Sequence, residues 1–317
     1  MPEAAKVFPA GLQIRLDLDS FEAFEAAARD WQIETTQLEP GPYRGRLRAA
    51  HTDLLQLGHS WRSLGTHIGG TIPRGTFLLS VPVRAGGPMQ FQGRPGSPCD
   101  VFLQDDVRGL DFSFGGPLEI LTLAVSQAEL MRRARDLWAD DALPILRRGV
   151  LKFGHGTGAR RAATDIQAGL RKALARPPGA MDRRSQKEIE NAVLDAVLAR
   201  VQTDLPESGG IERRRAGHRA ASFLLENWSS DLSLSDVCRA TGATRRTLHE
   251  GFLELRGLPP MAFLRCVRLC RARRRLAAGV SVTMSATSSG FEHLGRFAEV
   301  YRRFFGESPS ATRRGVR

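Results

Sequence analysis

The chain has little cysteine, no long apolar run and, over its last third, no lysine at all. Four cysteines, at positions 99, 238, 266 and 270 of 317 residues, are too few and too irregularly spaced for a disulfide scaffold. No CxxC pair or His-x-x-x-His accompanies them, which excludes the usual structural zinc patterns, and no metal or cofactor is expected. No apolar run approaches the roughly 18 to 20 residues that a membrane span requires. The first residues, Met1 to Gly11, carry one Lys and no apolar core, unlike a secretory signal. GxSxG and HExxH motifs are missing, so hydrolase and metalloprotease chemistry finds no foothold. These absences point to a cytoplasmic protein with reduced thiols that is not an enzyme.

What is present is charge, unevenly placed. The formal net charge is +12, and the 317 residues fit two domains of ordinary size better than one. Residues 1–210 hold 26 basic and 25 acidic side chains, a net of +1, whereas residues 211–317 hold 20 basic and 9 acidic, a net of +11. All 20 of those basic residues are Arg. Such asymmetry suggests a polyanion, nucleic acid before membrane, because the guanidinium fork pairs with phosphate and with the guanine edge.

Residues 12–18 alternate as a strand should, and Ser20 caps a short helix over 20–30 that carries Phe21, Phe24 and Ala28. From about 31 to 125, short apolar runs are cut by Gly and Pro at strand spacing with no helices between them, the pattern of an antiparallel barrel or sandwich. Helices are predicted over 126–148, interrupted at Pro144, and over 183–203, where Ile189, Val193, Val197 and Val201 form one stripe. The segment 154–180 reads as loose at both ends; its Gly154-His155-Gly156-Thr157-Gly158 lacks the spacing and the following βα unit of a phosphate loop. LPESGG, at 205–210, reads as an interdomain linker. His51, His59 and His67 recur every eight residues, which suits no metal-ligand pair, and Cys266 and Cys270 share a helix face as core thiols.

The last third contains a repeat. Gly242 is followed by Leu248, Phe252, Gly257 and Pro260; Gly290 is followed by Phe297, Tyr301, Gly306 and Pro309 at the same offsets plus one. Each leading Gly ends a short helix and supplies the left-handed turn into a longer one, and each aromatic or Leu pair at i and i+4 faces inward. Ser233 and Asp236 form a capping-box start for the first unit. One helix over 260–278 joins the units and spans roughly 28 Å, against about 34 Å between successive major-groove faces. Two helix-turn-helix units on one monomer could thus enter adjacent grooves.

The stretch GFEHLGRFAEVYRRFFGESPSATRR (290–314), with LSLSDVCRATGATRRTLHEGFLELRGLPPMAFLRCVRLCRARRRL (232–276), resembles the AraC/XylS transcription regulators over residues 213–314. That resemblance implies an α+β chain: an N-terminal cupin-like antiparallel β-barrel with dimerisation helices, and a C-terminal all-α domain of seven helices with tandem helix-turn-helix units. The expected segments are 1–150 for an effector-binding barrel with its trailing helix, 151–210 for a helical dimerisation or linker segment, and 211–317 for the DNA-binding domain.

In the first longer helix, 244–256, Arg246, His249 and Glu250 face outward and match the family's base-reading positions; Arg245 is better placed for phosphate. In the second, 293–305, the matching positions are Leu294, Gly295, Ala298 and Glu299, which can read little. There His293 and Glu299 are the expected readers, and Arg296, Arg302 and Arg303 the phosphate contacts. Trp61, His67, Phe77 and Phe91 are candidate effector-pocket residues. The function expected is a ligand-controlled, DNA-binding transcription regulator, an activator rather than a repressor. Its partners would be double-stranded DNA, a small-molecule effector, a second copy of the chain as a homodimer, and RNA polymerase, with no membrane. Two other readings are an architectural DNA-binding protein without a ligand, and a regulator with an enzyme-like N-terminal domain, against which Cys99 follows a turn rather than a strand-to-helix elbow.

Overall fold

The structure is a computed structural model and describes residues 8–28, 30–98, 100–138, 146, 150–153, 157–175, 182–198, 201–202 and 211–315. The expected break at Pro144, the linker 205–210, Cys99 and residues 154–156 of the glycine run lie outside the described residues. Thr157 and Gly158 open a regular helix.

The first two thirds form two antiparallel sheets rather than one closed barrel. The larger has the order β1 (Gln13–Leu18), β3 (Gly45–His51), β4 (Leu55–Arg62), β11 (Leu118–Ser126), β6 (Thr76–Ala85), β9 (Asp100–Asp105), β12 (Val150–Phe153) and β13 (Val201–Gln202). The smaller runs β2 (Gln32–Gln37), β5 (Thr66–Thr71), β10 (Leu110–Phe114), β7 (Met89–Phe91) and β8 (Arg94–Gly96). A short helix α1 (Phe21–Ala27) begins at Ser20, whose hydroxyl accepts from the Ala23 amide as the sequence led us to expect.

The large sheet is covered on both faces, and alternation along its strands decides what goes where. Leu55, Leu57, Phe77, Leu79, Leu121 and Leu123 pack against Leu130 of α2 (Gln127–Trp138), Ile166 and Leu170 of α3 (Thr157–Leu174), and Ile189 and Val193 of α4 (Arg183–Leu198). The opposite face, with Gln56, Gly58, Ser60, Arg62, Leu78, Ser80 and Thr122, lines a cavity shared with Ile68 and Phe112 of the small sheet and with Phe24 of α1. The stripe on α4 is therefore consumed inside the chain: Ile189 and Val193 are buried in the core beneath the sheet. Nor does residue 150 divide two units, since β12 starts there and pairs with β9.

The last third is helical: α5 (Ile211–Glu226), α6 (Leu234–Thr241), α7 (Arg245–Arg256), α8 (Pro260–Ala277), α9 (Val282–Thr287), α10 (Leu294–Phe305) and α11 (Pro309–Arg314). Those seven helices match the number implied by the resemblance. The Ser233–Asp236 capping box is present, and Gly242 ends α6 at φ 66° in the left-handed region. After α9, Gly290 takes φ 78°. A side chain at either position would be strained, which is why the repeat keeps Gly there. α8 is a single helix of 18 residues, about 27 Å long. Its first half gives Phe263, Leu264 and Val267 to a core with Leu248 and Phe252; its second half gives Leu269, Cys270 and Leu276 to a core with Phe297 and Tyr301. Each buried side chain of this size contributes on the order of 2 kcal/mol, so both units are fixed to one rod.

Candidate nucleic-acid interface

α6, its left-handed turn and α7 make one helix-turn-helix; α9, its turn and α10 make the other. On α7 the inward side buries Leu248, Phe252 and Leu255, and the same 3.6-residue period turns Arg246 and His249 to solvent. Thr244 caps the helix by accepting from the Thr247 amide. Arg246 donates from Nε to Glu250 Oε1 at 2.9 Å across one turn, with its side chain 87% exposed. An exposed pair of this kind is worth only about 0.3–0.5 kcal/mol. Arg245 donates to Ser235 Oγ of α6 at 3.0 Å, which ties its guanidinium across the two helices of the unit.

On α10, Phe297, Tyr301 and Phe305 are buried, while His293, Leu294, Gly295, Arg296, Glu299, Arg302 and Arg303 are exposed. His293 occupies the N-cap and makes no side-chain capping bond. The residues expected to face DNA in each unit thus share one exposed side of their helix. Arg265, which the sequence reading did not single out, joins Arg268, Arg296 and Arg303 along a groove of about 660 Å³ between α8 and α10. It was recognisable only from the helical phase of α8 relative to that helix's buried Cys266 and Val267.

The arginine count overstates the cationic face. Arg271 pairs with Glu34 at 2.8 Å, Arg274 with Glu25 at 2.7 Å, and Arg273 with Glu22 at 3.2 Å. Arg256, its side chain 2% exposed, donates to Asp111 of β10 at 2.7 Å and to Ser113 Oγ at 3.0 Å. Burial by itself would raise the Asp111 carboxyl, but the Arg256 charge and the His67 hydrogen bond outweigh it and hold the carboxyl well below its ordinary range. Burial, reinforced by Arg256, pushes His67 down against the opposing pull of Asp111, so the ring is neutral at pH 7. These arginines hold the helical third against the sheets and are not free for phosphate.

None of the four candidate pocket residues lines the cavity. Trp61 sits on the outer face of β4 in a shallow surface depression with Arg46, His59 and Glu119. His67 donates from Nε2 to the Asp111 carboxylate, 3.0 Å away, and meets the Phe263 ring edge-on at 5.6 Å. Phe77 belongs to the core beneath α3 and α4. Phe91 stacks on Phe102 at 4.8 Å within an aromatic cluster. The cavity, of about 90 Å³, is lined instead by Ile14, Phe24, Leu78, Phe112 and Ile120 with Ser60, Arg62 and Thr122 among them. Cys266 and Cys270 are buried against the carbonyls of Leu38 and Gln37, and burial pushes the Cys266 thiol up to about 12, so both stay protonated and inert.

Two helix-turn-helix units stand on a common rod, each with one exposed side of its longer helix, the arrangement of a helix-turn-helix DNA-binding protein. A family described as "Helix-turn-helix domain" matches residues 213–315. The chain is 33% identical over 121 residues to the XylDLEGF operon transcriptional activator 2 of Pseudomonas putida, a match covering 37% of this chain and 76% of that protein. It is 35% identical over 122 residues to the probable thc operon regulatory protein of Rhodococcus erythropolis, covering 37% of this chain but only 35% of that protein's length. A solved structure of a probable AraC family transcriptional regulator from Rhodopseudomonas palustris is 36% identical and covers 32% of this chain and 97% of that one, with a TM-score of 0.30. The chain belongs to the AraC/XylS family of transcription regulators, and it is a DNA-binding regulator.

Proposed function

We propose that this regulator is an activator controlled by a small-molecule effector held between its two sheets. The observation that carries the reading is the position of α1. Phe24 and Ala27 form part of the cavity wall, while Glu22 and Glu25 of the same helix clamp Arg273 and Arg274 of α8. A ligand that moves this wall acts on the rod that carries both helix-turn-helix units, shifting a pre-existing balance between two presentations of them. An architectural protein without a ligand has no use for such a cavity. Activation, with RNA polymerase as the further partner, is supported by the transcriptional activators among the relatives.

On this reading Arg246, His249, Glu250, His293 and Glu299 read bases, and Arg245, Arg296, Arg302 and Arg303 hold phosphates. Pairing of two copies would use the outward sides of α2 and α4, since their inward stripes are spent on the sheet; Leu137, 55% exposed on α2, supports that side. The test is selection of bound fragments from the source genome with the full chain, followed by transcription from the selected promoters with and without metabolite fractions. Effector-dependent transcription is the expected outcome. Occupancy and transcription indifferent to every fraction would establish the architectural reading instead.

A further inference from the structure

The cavity contains a charge with no counter-ion. Arg62, on the inward face of β4, is 5% exposed and lines the cavity. Its Nη1 reaches Ser60 Oγ at 3.3 Å, its guanidinium lies 3.9 Å from the centre of the Phe24 ring, and its Nε has no hydrogen-bond partner. Among the described residues no carboxylate pairs with it, and Tyr43 is the one titratable neighbour that acts on it. Arg256 makes the contrast: equally buried, it has Asp111 at 2.7 Å. Burying a guanidinium without an anion is strongly unfavourable, and a ring face offsets only part of that cost. A chain that keeps Arg62 here gains if an anion arrives from outside.

The surroundings restrict which anion. Beyond Arg62 the polar groups at the cavity are neutral: Gln56, Ser60, Ser80, Thr122 and the Trp31 indole, whose Nε1 donates to Gln56 Oε1. The rest is apolar, with Ile14, Phe24, Leu78, Phe112 and Ile120. One fork fits one carboxylate in two parallel bonds. A dianion such as a phosphate monoester would leave a charge uncompensated among apolar walls. The small volume, about 90 Å³, admits a compact body. We infer that the cavity binds a compact monocarboxylate, its carboxylate on the Arg62 guanidinium and its apolar body against Phe112 and Ile120. This rests on the effector reading above and names the chemical class of the effector.

The test is calorimetric titration and thermal unfolding of the full chain with hexanoate, cyclohexanecarboxylate and phenylacetate, each beside its uncharged amide. At least one acid is expected to bind about ten- to hundredfold more tightly than its amide, the factor a charged hydrogen-bonded pair commands. Arg62→Met should abolish that ratio, and Arg62→Lys, which keeps the charge without the fork, should retain part of it. Arg62→Met replaces an unpaired buried cation by an apolar chain, so its ligand-free Tm should equal or exceed that of the parent, with DNA retardation intact. Amides that bind as well as acids would overturn the carboxylate assignment and leave the effector reading standing. No stabilisation by any acid or amide would bring down both.

Discussion

Arg256 and Phe305 hold equivalent places in the two helix-turn-helix units, each the residue before the left-handed Gly that ends the longer helix. Both are buried against the sheet region, by opposite means. Arg256 is held by an ion pair to Asp111, with His67 on the same carboxylate and His218 Nδ1 at 3.6 Å. Phe305 packs near Phe21 and Tyr43, and beside it the Gly41 amide donates to the Phe304 carbonyl at 2.8 Å. One fold repeat has thus acquired a polar dock and an apolar dock. The polar one rests on a buried ion pair; the apolar one rests on aromatic packing, with the Glu22–Arg273 pair at its margin.

The sharpest way to break this comparison is to remove one partner at each dock. Asp111→Asn leaves Arg256 buried without an anion, and a loss of about 3–5 kcal/mol is expected in denaturant unfolding. Phe305→Ala leaves a cavity and should cost a similar 3–5 kcal/mol. The two differ in rescue. Adding Arg256→Met to Asp111→Asn should restore most of the stability, because the stranded charge is gone, whereas no truncation of Phe21 can repair the Phe305 cavity. If the Arg256→Met double variant stays as unstable as the single one, the dock is not an ion pair in energetic terms.

The next effect separates the units at DNA rather than at the sheets. α7 presents Arg246 and Glu250, groups able to distinguish base pairs by hydrogen bonds; at the matching positions α10 presents Leu294, which can meet only a thymine methyl, and Gly295, which reads nothing, leaving His293 and Glu299 as its readers. Arg246→Ala is expected to cost about 1–3 kcal/mol on the selected operator and to relax preference at one base pair, with little change on random duplex. Band-shift titration on both duplexes measures it, and an equal loss on each would assign Arg246 to phosphate.

Much of this asymmetry was legible in the sequence. The capping residues, the paired glycines and the i, i+4 aromatic pairs are local signals, and local signals specify helices, so α6 to α10 fall where the repeat put them. The cavity was not legible because the large sheet is covered on both faces. In LQLGHSWR the apolar side, Leu55, Leu57 and Trp61, reads as the inside, yet it turns away from the cavity, and the polar side with Ser60 and Arg62 turns into it. Trp61 and Phe77 both lie on the sheet face turned away from the cavity. Likewise the Arg excess suggests a polyanion partner, although Arg256, Arg271, Arg273 and Arg274 are spent on carboxylates of the sheet region and of α1. Pairing partners distant in sequence leave no local trace.

The polar dock also predicts an acid slope opposite in sign to that of the apolar dock. His67 is depressed in the folded chain, so between its folded value and the unfolded value of about 6.5 the unfolded state binds more protons. Its contribution is present above about pH 6.5 and is lost as pH falls toward the folded value. Asp111, also depressed, holds its contribution above about pH 4 and loses it below. Glu22, beside Phe21 in the apolar dock, is raised by burial and runs the other way, gaining as pH falls. His51, pushed down to about 4 by burial, adds a slope of the same sign as His67, so the Tm difference between the parent and His67→Asn isolates the dock. That difference should shrink from pH 7 to pH 5; a constant difference would detach His67 from the acid response.

The smallest expected effect tests the division of labour at the second unit. Arg303, exposed on α10 and lining the groove with Arg265 and Arg268, has the position of a phosphate contact. A phosphate contact releases counterions without reading sequence, so Arg303→Ala should weaken operator and random duplex by the same factor and lower the slope of log K against log salt by about one. Arg246→Ala should instead change the operator preference more than the slope. If Arg303→Ala altered base preference, Arg303 would be a reader beside His293 and Glu299, and the contrast with α7 would be one of residue choice rather than of task.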